Sequence, residues 1–336
     1  MLNMFAFPPG QSGVVLGIEF DSTNLTWRLP THKWTSIIIL LQQFFNLPFI
    51  PLNFFQKLHG KLNDFSQKAI LLRGFTYHQN KFLQQFATTG STTLPKPNLL
   101  CNELIFWTNY ILHHSVPAPI PLIIPNPPYI ALHFFSDAAG PARISTLLTG
   151  NHIDTTSLDS GAASVGFVDH PLQTKFLQPF FATTLTWPLP LLSIPQLNST
   201  LLEFIALLFP FLGLKTKLTG HQIILHVDNK ACVDVWNSRT CKNDEMLAIF
   251  LQTLHVIEAA LECRLFIVHS PRRSTPVTCL VDNLSRLSTT TSSDNQAIRH
   301  AHQYHLRGPL LDWLFQPSID WNLPKKIVQY VTSIHE

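Results

Sequence analysis

The sequence predicts an α/β protein whose mixed β-sheet is flanked by helices. From residue 129 onwards, three strand-like segments are followed by a helix, a strand, two helices, a strand and a short helix. This order of elements implies a mixed sheet of five strands with helices packed on it. A smaller region that contains a β-hairpin and is otherwise mostly helical precedes it.

The elements of the larger region are predicted from apolar runs, helical spacing and turn residues. The expected strands occupy residues 129–137, 161–169, 180–187, 221–227 and 263–270. The expected helices occupy residues 198–212, 229–238, 243–262 and 279–287.

The smaller region is predicted from the first 128 residues. Polar turn formers interrupt the apolar alternation of residues 14–27, which predicts two short strands joined by a turn. Apolar side chains then recur at helical spacing and predict two helices. Residues 87–128 are rich in proline and turn formers and include one short predicted helix. The expected organisation is a hairpin, a helical region, a connection, the α/β domain and a C-terminal extension of unassigned role: residues 1–30, 31–86, 87–128, 129–287 and 288–336.

Composition limits the classes of protein to consider. Charged residues make up 13% of the 336 residues and hydrophobic ones 46%, which argues against wholesale disorder. The net charge of +3 is small, so attraction to nucleic acid would have to come from local patches. Five cysteines without CxxC spacing indicate neither a zinc site nor a disulfide framework, and they fit a reducing compartment, cytoplasmic or nuclear. We expect neither a membrane span nor a secretory signal.

Four acidic residues lie at the edges of the predicted elements. Asp137 closes the first strand and Glu203 lies in the first helix, while Asp228 follows the fourth strand and Asp282 lies in the last short helix. The local sequences around them resemble the ribonuclease H domain of retroelement polyproteins: FFSDAAG, STLLEFIAL, LHVDNKACV and LVDNLSRL.

Upstream segments extend this resemblance. The segment VVLGIEFDSTNLTWRLPTHKW resembles the primer-grip hairpin and thumb entry of reverse transcriptases, and FFQKLHGKLNDFSQ resembles the thumb helix that follows. The likeness is greatest to DIRS-type (tyrosine-recombinase) retrotransposons and covers residues 14–86 and 129–287. It implies a ribonuclease H-like fold behind a thumb and connection, at the C-terminal end of a reverse transcriptase.

The resemblance also implies a metal site. In that family an Asp, Glu, Asp, Asp set holds two Mg²⁺ ions, for which Mn²⁺ is a possible substitute. Asp137 and Asp228 would contact or bridge both ions, with Glu203 on the leaving-group side and Asp282 on the side of the attacking water. Magnesium prefers carboxylate oxygens, and two ions can activate water and stabilise the leaving oxygen. Without cations, two carboxylates about 5 Å apart repel by on the order of 3 kcal/mol at an effective dielectric constant of about 20.

Each acidic residue also has an alternative role that the sequence leaves open. Asp137 could begin a turn, and Asp228 could cap the following helix. Glu203 is charged within a largely apolar helix, so it must find a partner or solvent. Asp282 could be a surface residue paired with Arg286 one helical turn away.

Several other residues are candidates for contact with nucleic acid. Gly60 lies inside a predicted helix, where it allows either tight helix packing or the approach of a nucleic-acid backbone between Lys57 and Lys61. His269 could assist product release or lie buried at a strand end. Four further basic residues could contact phosphates: Lys230, Arg239, Arg272 and Arg273.

The chain departs from the family pattern in two places. A polar insertion, PARISTLLTGNHIDTTSLDSGAA, follows the first Asp, and the loop before the last Asp reads HSPRRSTPVTCLVD in place of the usual glycine and asparagine. The Tyr-x-Asp-Asp signature of a polymerase is absent from the sequence, so polymerisation would need a separate fingers and palm chain. The resemblance implies that the chain lacks its fingers and palm because it is encoded separately or shortened upstream.

Three functions follow as hypotheses. The first is hydrolysis of the RNA strand of an RNA/DNA hybrid. The second is a catalytically inactive nucleic-acid-binding or assembly module that kept the fold, which the insertion and the altered loop favour. The third is a related nuclease or integrase-type activity on DNA. Comparing binding with cleavage, and hybrid with duplex DNA, separates the three.

Overall fold

The computed structural model describes residues 12–15, 18–21, 26–28, 30–66, 72, 74–115, 120–121, 131–140, 160–168, 178–194, 197–241, 244–286 and 289–333. Contacts divide the chain into two compact units, Met1–Pro128 and Tyr129–Glu336, called here the first unit and the second unit.

The first unit combines two small sheets with four helices among the described residues. Its elements are β1 (Ser12–Val15), β2 (Ile18–Asp21), β3 (Thr26–Arg28), α1 (Thr31–Asn46), β4 (Phe49–Pro51), α2 (Leu52–Ser66), α3 (Tyr77–Thr89), β5 (Thr93–Pro95), α4 (Asn98–Ser115) and β6 (Ile120–Pro121). Strands β1, β2, β3 and β6 pair antiparallel in that order, and β4 pairs with β5. The predicted hairpin corresponds to β2 and β3, and β1 extends it by one strand.

The helices of the first unit pack through apolar stripes at helical spacing. The helical spacing of apolar residues predicted from the sequence is seen in α2, where Phe55, Leu58 and Leu62 are fully buried. The helix predicted within the connection is present as α4, which has 18 residues and is longer than expected. Its side chains Leu104 and Trp107 are fully buried, so the proline-rich flanks enclose a helix that belongs to the core.

The second unit is a mixed α/β structure. Its elements are β7 (Ala131–Ala139), β8 (Gly161–Val168), β9 (Phe181–Thr186), α5 (Leu189–Leu192), α6 (Ser199–Ala206), α7 (Phe209–Leu214), a 3₁₀ turn (Lys215–Leu218), β10 (Gln222–Val227), α8 (Lys230–Ser238), α9 (Glu245–Ala260), β11 (Arg264–His269), α10 (Pro276–Leu284), α11 (Ser292–Ala297), β12 (His302–Gln303), α12 (Pro309–Phe315) and α13 (Leu323–Thr332).

The sheet of the second unit is mixed, as predicted. Its strand order is β11-β10-β7-β8-β9-β12, in which β8 runs antiparallel to both of its neighbours, β7 and β9. Strand β10 is parallel to β7 and β11 is parallel to β10. In the described residues the sheet has six strands, because the two-residue strand β12 adds a parallel partner to β9. The prediction of five strands missed this edge strand, which is too short to give an alternating pattern.

Helices cover both faces of this sheet. Successive side chains of a strand point to opposite faces, and β7 shows this clearly. Phe134 lies in the larger apolar core with residues of α6, α7 and α9, whereas Phe135 lies in a smaller core with Val277 and Val281 of α10. In β10 the side chains of Ile223, Leu225 and Val227 are buried, whereas the edge strand β11 alternates between buried residues and exposed ones such as Phe266.

Two helical segments differ from expectation. The predicted helix 198–212 is divided into α6 and α7, because Pro210 has no N–H to donate to the carbonyl of Ala206. The segment after residue 287, which the sequence left without a role, contributes α12 and α13 to the larger core through Leu310 and Ile327. These two side chains are fully buried.

Most of the predicted polar insertion after the first strand lies outside the described residues. Within the described ranges, the helices are all too short or too polar to reach across a bilayer.

Candidate metal centre

Asp137 and Asp228 lie at the same level on neighbouring strands. Asp137 is near the C-terminal end of β7, and Asp228 directly follows the C-terminal end of β10. The two strands are parallel, with His226 opposite Phe135. Continuing this register along both chains brings Asp228 opposite Asp137. Adjacent parallel strands therefore place two carboxylates at one edge of the sheet, where ligand sites of α/β proteins commonly lie.

Glu203 approaches the same edge from helix α6. Asn198 caps this helix, and its side chain accepts a hydrogen bond from the amide of Leu201. The Glu203 side chain is buried, and its Oε1 accepts a hydrogen bond from the amide of Ala138 at 3.3 Å. Its Oε2 meets no hydrogen-bond donor among the described residues. A buried carboxylate oxygen without a donor is costly unless the carboxyl group is protonated or a cation lies beside it.

Together the three carboxylates could hold a metal ion. One oxygen from each of Asp137, Glu203 and Asp228 lies within 4.8 Å of the others. Carboxylate oxygens are the donors that hard divalent cations prefer, and Glu203 has one oxygen, Oε2, without a hydrogen-bond partner among the described residues. The donor chemistry and the spacing therefore fit a divalent ion.

Burial and mutual repulsion make it unfavourable for the carboxyl groups of Asp137 and Glu203 to ionise. Burial, followed by the charges of Asp137 and Asp228, raises the pKa of Glu203 well above its ordinary value. Burial also raises the pKa of Asp137, and the hydrogen bond from Ser285 opposes this rise. The thiol of Cys232 has a raised pKa for the same reasons, burial first and then the charge of Glu203. Each group retains its proton more strongly because it is buried and because negative charge accumulates beside it.

The structure settles the alternative roles of two of these residues. Asp228 does not cap helix α8, because Asn229 is the N-cap residue and its side chain accepts a hydrogen bond from the amide of Ala231. Asp137 does not begin a turn, since it lies within β7 opposite Ala163 of β8.

The fourth predicted ligand, Asp282, does not belong to the carboxylate group. Its side chain is 1% exposed and is held by three arginines. Arg273 Nε donates to Oδ2 at 2.5 Å, while Arg272 and, more weakly, Arg286 donate to Oδ1. Burial opposes ionisation, but the hydrogen bonds and charges of Arg272 and Arg273 outweigh it and lower the pKa of Asp282. The predicted pairing with Arg286 is present, but the residue is buried and not on the surface.

A serine links Asp282 to the carboxylate group. Ser285 Oγ contacts Asp137 Oδ2 at 2.5 Å and the backbone carbonyl of Asp282 at 3.0 Å. Ser285 is buried and directly follows helix α10. Sequence reasoning missed this residue, although its place one helical turn after an acidic residue would have brought both to one face.

The other predicted contact residues differ in their accessibility. Lys230 is exposed at the start of α8, and His269 is also exposed, with Nε2 3.0 Å from the backbone carbonyl oxygen of Asp228. His269 is therefore not buried at the strand end. Arg272 and Arg273 are about half exposed, but both are paired with Asp282.

Arg239 was predicted to contact phosphate, but its side chain is enclosed by other residues of the second unit. Its guanidinium lies 3.3 Å from the ring centre of Trp236, and Nη1 is 2.9 Å from Nδ1 of the buried His255 and 3.5 Å from Glu258. The side chain is 11% exposed. These contacts give Arg239 a structural role, because its charge is already compensated inside the unit.

The first unit contains an open basic cleft on α2. This cleft has a volume of about 300 Å³ and is lined by Lys57, Gly60 and Lys61, together with Lys33 and Asp64. A Cβ added at Gly60 would meet nothing within 4 Å, so tight helix packing does not explain the glycine. Lys61 Nζ donates to Ser36 Oγ at 3.1 Å, and Lys33 lies 3.8 Å from Asp64.

Fold and site together define the second unit as a mixed α/β structure with a buried carboxylate group able to hold a metal ion. The sequence matches no model of a known protein family, and it matches no curated protein.

Proposed function

We propose that the chain is a metal-dependent endonuclease of the ribonuclease H type, which hydrolyses the RNA strand of RNA/DNA hybrids. The observation that carries this proposal is the buried group of Asp137, Glu203 and Asp228, in which one Glu203 oxygen meets no donor among the described residues. The mixed sheet with flanking helices is compatible with a ribonuclease H-like fold. The resemblance of the upstream sequence to a reverse transcriptase thumb, most closely in DIRS-type elements, is consistent with this class.

Asp137, Glu203 and Asp228 would hold Mg²⁺, with Mn²⁺ as a substitute. When bound, the ion would supply the Lewis acidity that activates water and offsets charge on the scissile phosphate. The residues of this chain would set where the ion binds. Strand register aligns Asp137 with Asp228, the Ala138 amide orients Glu203, and Ser285 orients Asp137. Such outer contacts commonly set the orientation and affinity of metal ligands.

Exposed cationic side chains in both units would contact the hybrid. In the second unit these are Lys230 beside Asp228 and the half-exposed Arg272 and Arg273. In the first unit Lys57 and Lys61 flank the exposed Gly60, where a phosphate could come close to the helix backbone. Selectivity for hybrids would come from groove shape and the 2′-hydroxyl. Because the sequence has no Tyr-x-Asp-Asp signature, we also propose a separate polymerase chain as a partner.

A second candidate function is a nucleic-acid-binding or assembly module that does not catalyse hydrolysis. The observation in its favour is the pairing of Asp282 with arginines, which removes one of the four expected carboxylates from the metal group. Binding of hybrid without magnesium-dependent cleavage would select this alternative.

The test is cleavage of a labelled RNA/DNA hybrid by the purified chain with Mg²⁺. We expect RNA fragments from the wild-type chain and a rate at least about 100-fold lower for Asp228→Asn, since loss of outer contacts alone costs about 10–100-fold. Asp234→Asn is the matched control, because Asp234 is exposed on the neighbouring helix α8. Duplex DNA as substrate distinguishes an integrase-type activity. No cleavage of the hybrid with any divalent metal would reject the proposal.

A further inference from the structure

Arg272 lies between the two acidic parts of the site. Its Nε donates to Asp282 Oδ1 at 2.6 Å, and its terminal nitrogen contacts the same oxygen. The same Nε lies 4.0 Å from Asp228 Oδ2. The guanidinium therefore places a positive charge between Asp228, which belongs to the carboxylate group, and Asp282, which does not.

The surroundings leave little space for a further ion on this side. Asp137, Asp228 and Arg272 line a cavity of about 20 Å³. A volume of this size accommodates about one water molecule. A divalent cation placed here would face the guanidinium directly and would be repelled by it.

Arg272 and Arg273 pair with different oxygens of Asp282. Arg272 contacts Oδ1, whereas Arg273 Nε contacts Oδ2 at 2.5 Å and its terminal nitrogen is 3.5 Å from Asn283 Oδ1. An ion pair with Asp228 is seen for Arg272 among the described residues, but not for Arg273. The two arginines thus share one partner and differ in their reach toward the carboxylate group.

We propose that the guanidinium of Arg272 takes the place of a second cation between Asp228 and Asp282, so that each chain binds a single divalent ion at Asp137, Glu203 and Asp228. This inference rests on the proposed metal centre. Arg272 is a positioning residue in this arrangement: it compensates Asp282 permanently and limits the stoichiometry of the site. The resemblance to the retroelement family, in contrast, implies two ions.

Counting bound Mn²⁺ tests this inference without any activity assay. Calorimetric titration gives the stoichiometry, and the electron paramagnetic resonance spectrum shows whether two Mn²⁺ ions lie close enough to couple. We expect one uncoupled Mn²⁺ per wild-type chain. We expect a second, coupled Mn²⁺ in Arg272→Ala, because this change frees Asp282 Oδ1 and leaves Asp228 Oδ2 without its arginine.

Arg273→Ala is the matched control, and it should still bind one ion because Arg272 stays in place. Adding Asp282→Asn to Arg272→Ala should remove the second ion again. Two ions in the wild-type chain, or one ion in Arg272→Ala, would overturn the inference while leaving the metal centre intact. Two ions in Arg273→Ala would also overturn it, since the effect would not be specific to Arg272. No bound Mn²⁺ in the wild-type chain would overturn the proposed metal centre itself.

Discussion

The two acidic parts of the candidate site differ in how their charge is compensated. Asp137, Glu203 and Asp228 bring three carboxylates together, and one oxygen of Glu203 meets no donor in the described part of the chain. Asp282 is equally buried, yet three arginines hold it. The difference teaches that burial of an acidic residue does not by itself indicate a metal ligand. What distinguishes the two parts is how closely the protein supplies positive charge: three arginines contact Asp282 directly, whereas the ion pair seen at Asp228 among the described residues is a long one, with Arg272 at 4.0 Å.

A buried carboxylate of the first unit provides a third case for this comparison. Glu103 of α4 is buried, and it accepts hydrogen bonds from the amides of His78 and Gln79 at 2.9 and 3.2 Å. These amides begin helix α3, whose N-cap residue Thr76 makes no side-chain capping bond. Glu103 thus caps a helix from a distance, with neutral donors in place of a cation.

The largest effect on stability is expected from Glu103. Burial raises its pKa to about 7 in spite of the two amide hydrogen bonds. Because the folded-state pKa is raised, the stabilising contribution is complete below the unfolded-state value of about 4.5 and is lost as the pH rises through about 7. The loss is on the order of 3 kcal/mol. Hydrogen exchange of amides 77–89 measures it as the change, between pH 4.5 and pH 8, in the difference in opening free energy between the full wild-type chain and Glu103→Gln.

Glu103→Gln is the matched variant, because it keeps an acceptor and removes the ionisation. Its opening free energy should show no fall from this group, and comparison of the two chains removes the opposite pH dependence of His78, whose pKa burial lowers to about 4. An equal pH dependence in both chains would show that neutral donors compensate Glu103 as fully as the arginines compensate Asp282, and the comparison would then fail in the first unit.

The next effect is expected from Asp282→Asn. This change removes a charged acceptor from three arginines and should lower the opening free energy of helix α10 by about 2 kcal/mol. The loss of free energy is limited because Arg272 and Arg273 are about half exposed and can form hydrogen bonds with water instead. Hydrogen exchange of residues 276–284 gives the value. A change close to zero would mean that the arginines do not stabilise Asp282.

The effect of Glu203→Gln on stability should have the opposite sign. Without divalent metal it removes a buried charge from a repelling group and should stabilise α6 by about 1 kcal/mol at pH 8. Because the pKa of Glu203 is raised, the contribution of its protonated form to stability is lost as the pH rises. The difference in stability between the wild-type chain and Glu203→Gln should therefore disappear below pH about 4.5. Hydrogen exchange of residues 199–206 at both pH values measures it. A destabilising effect at pH 8 without metal would contradict the difference drawn between Glu203 and Asp282.

The smallest effect is expected at Gly60, where no acidic group is involved. Gly60→Ala places a methyl group in open space inside α2 and should stabilise this helix by about 0.5–1 kcal/mol. If a phosphate approaches the helix here, the same change should weaken binding of an RNA/DNA hybrid. Hydrogen exchange of residues 52–66 and a salt-matched binding titration measure the two effects. Unchanged binding would remove Gly60 from the proposed interface.

Sequence reasoning predicted the parts of the site that depend on element order. Asp137 ends one predicted strand and Asp228 directly follows another, and the parallel pairing of β7 with β10 aligns them. Glu203 was recognisable as a charge within an apolar helix. The arginine cluster around Asp282 was not, because a turn of the chain after β11 brings Arg272 and Arg273 back to α10. Whether two basic residues face phosphate or a buried carboxylate depends on tertiary structure alone.

The dependence on tertiary structure also explains why sequence reasoning misjudged Arg239 and missed Glu103. Arg239 looked like a phosphate contact, but its neighbours Trp236, His255 and Glu258 come from two helices that fold around it. Glu103 was not singled out, because its two donors belong to another helix. Local periodicity predicts which face of a helix is buried, but it does not identify the polar groups that this face contacts.

Equilibrium binding of Mg²⁺ to the full chain tests the central claim most directly. Titration calorimetry at pH 7 should show saturable binding to the wild-type chain, and Glu203→Gln should weaken it by at least about 100-fold, because a direct ligand is lost. Asp234→Asn should bind as the wild type does, since Asp234 is exposed on α8. Equal Mg²⁺ affinity in the wild-type chain and Glu203→Gln would contradict the account.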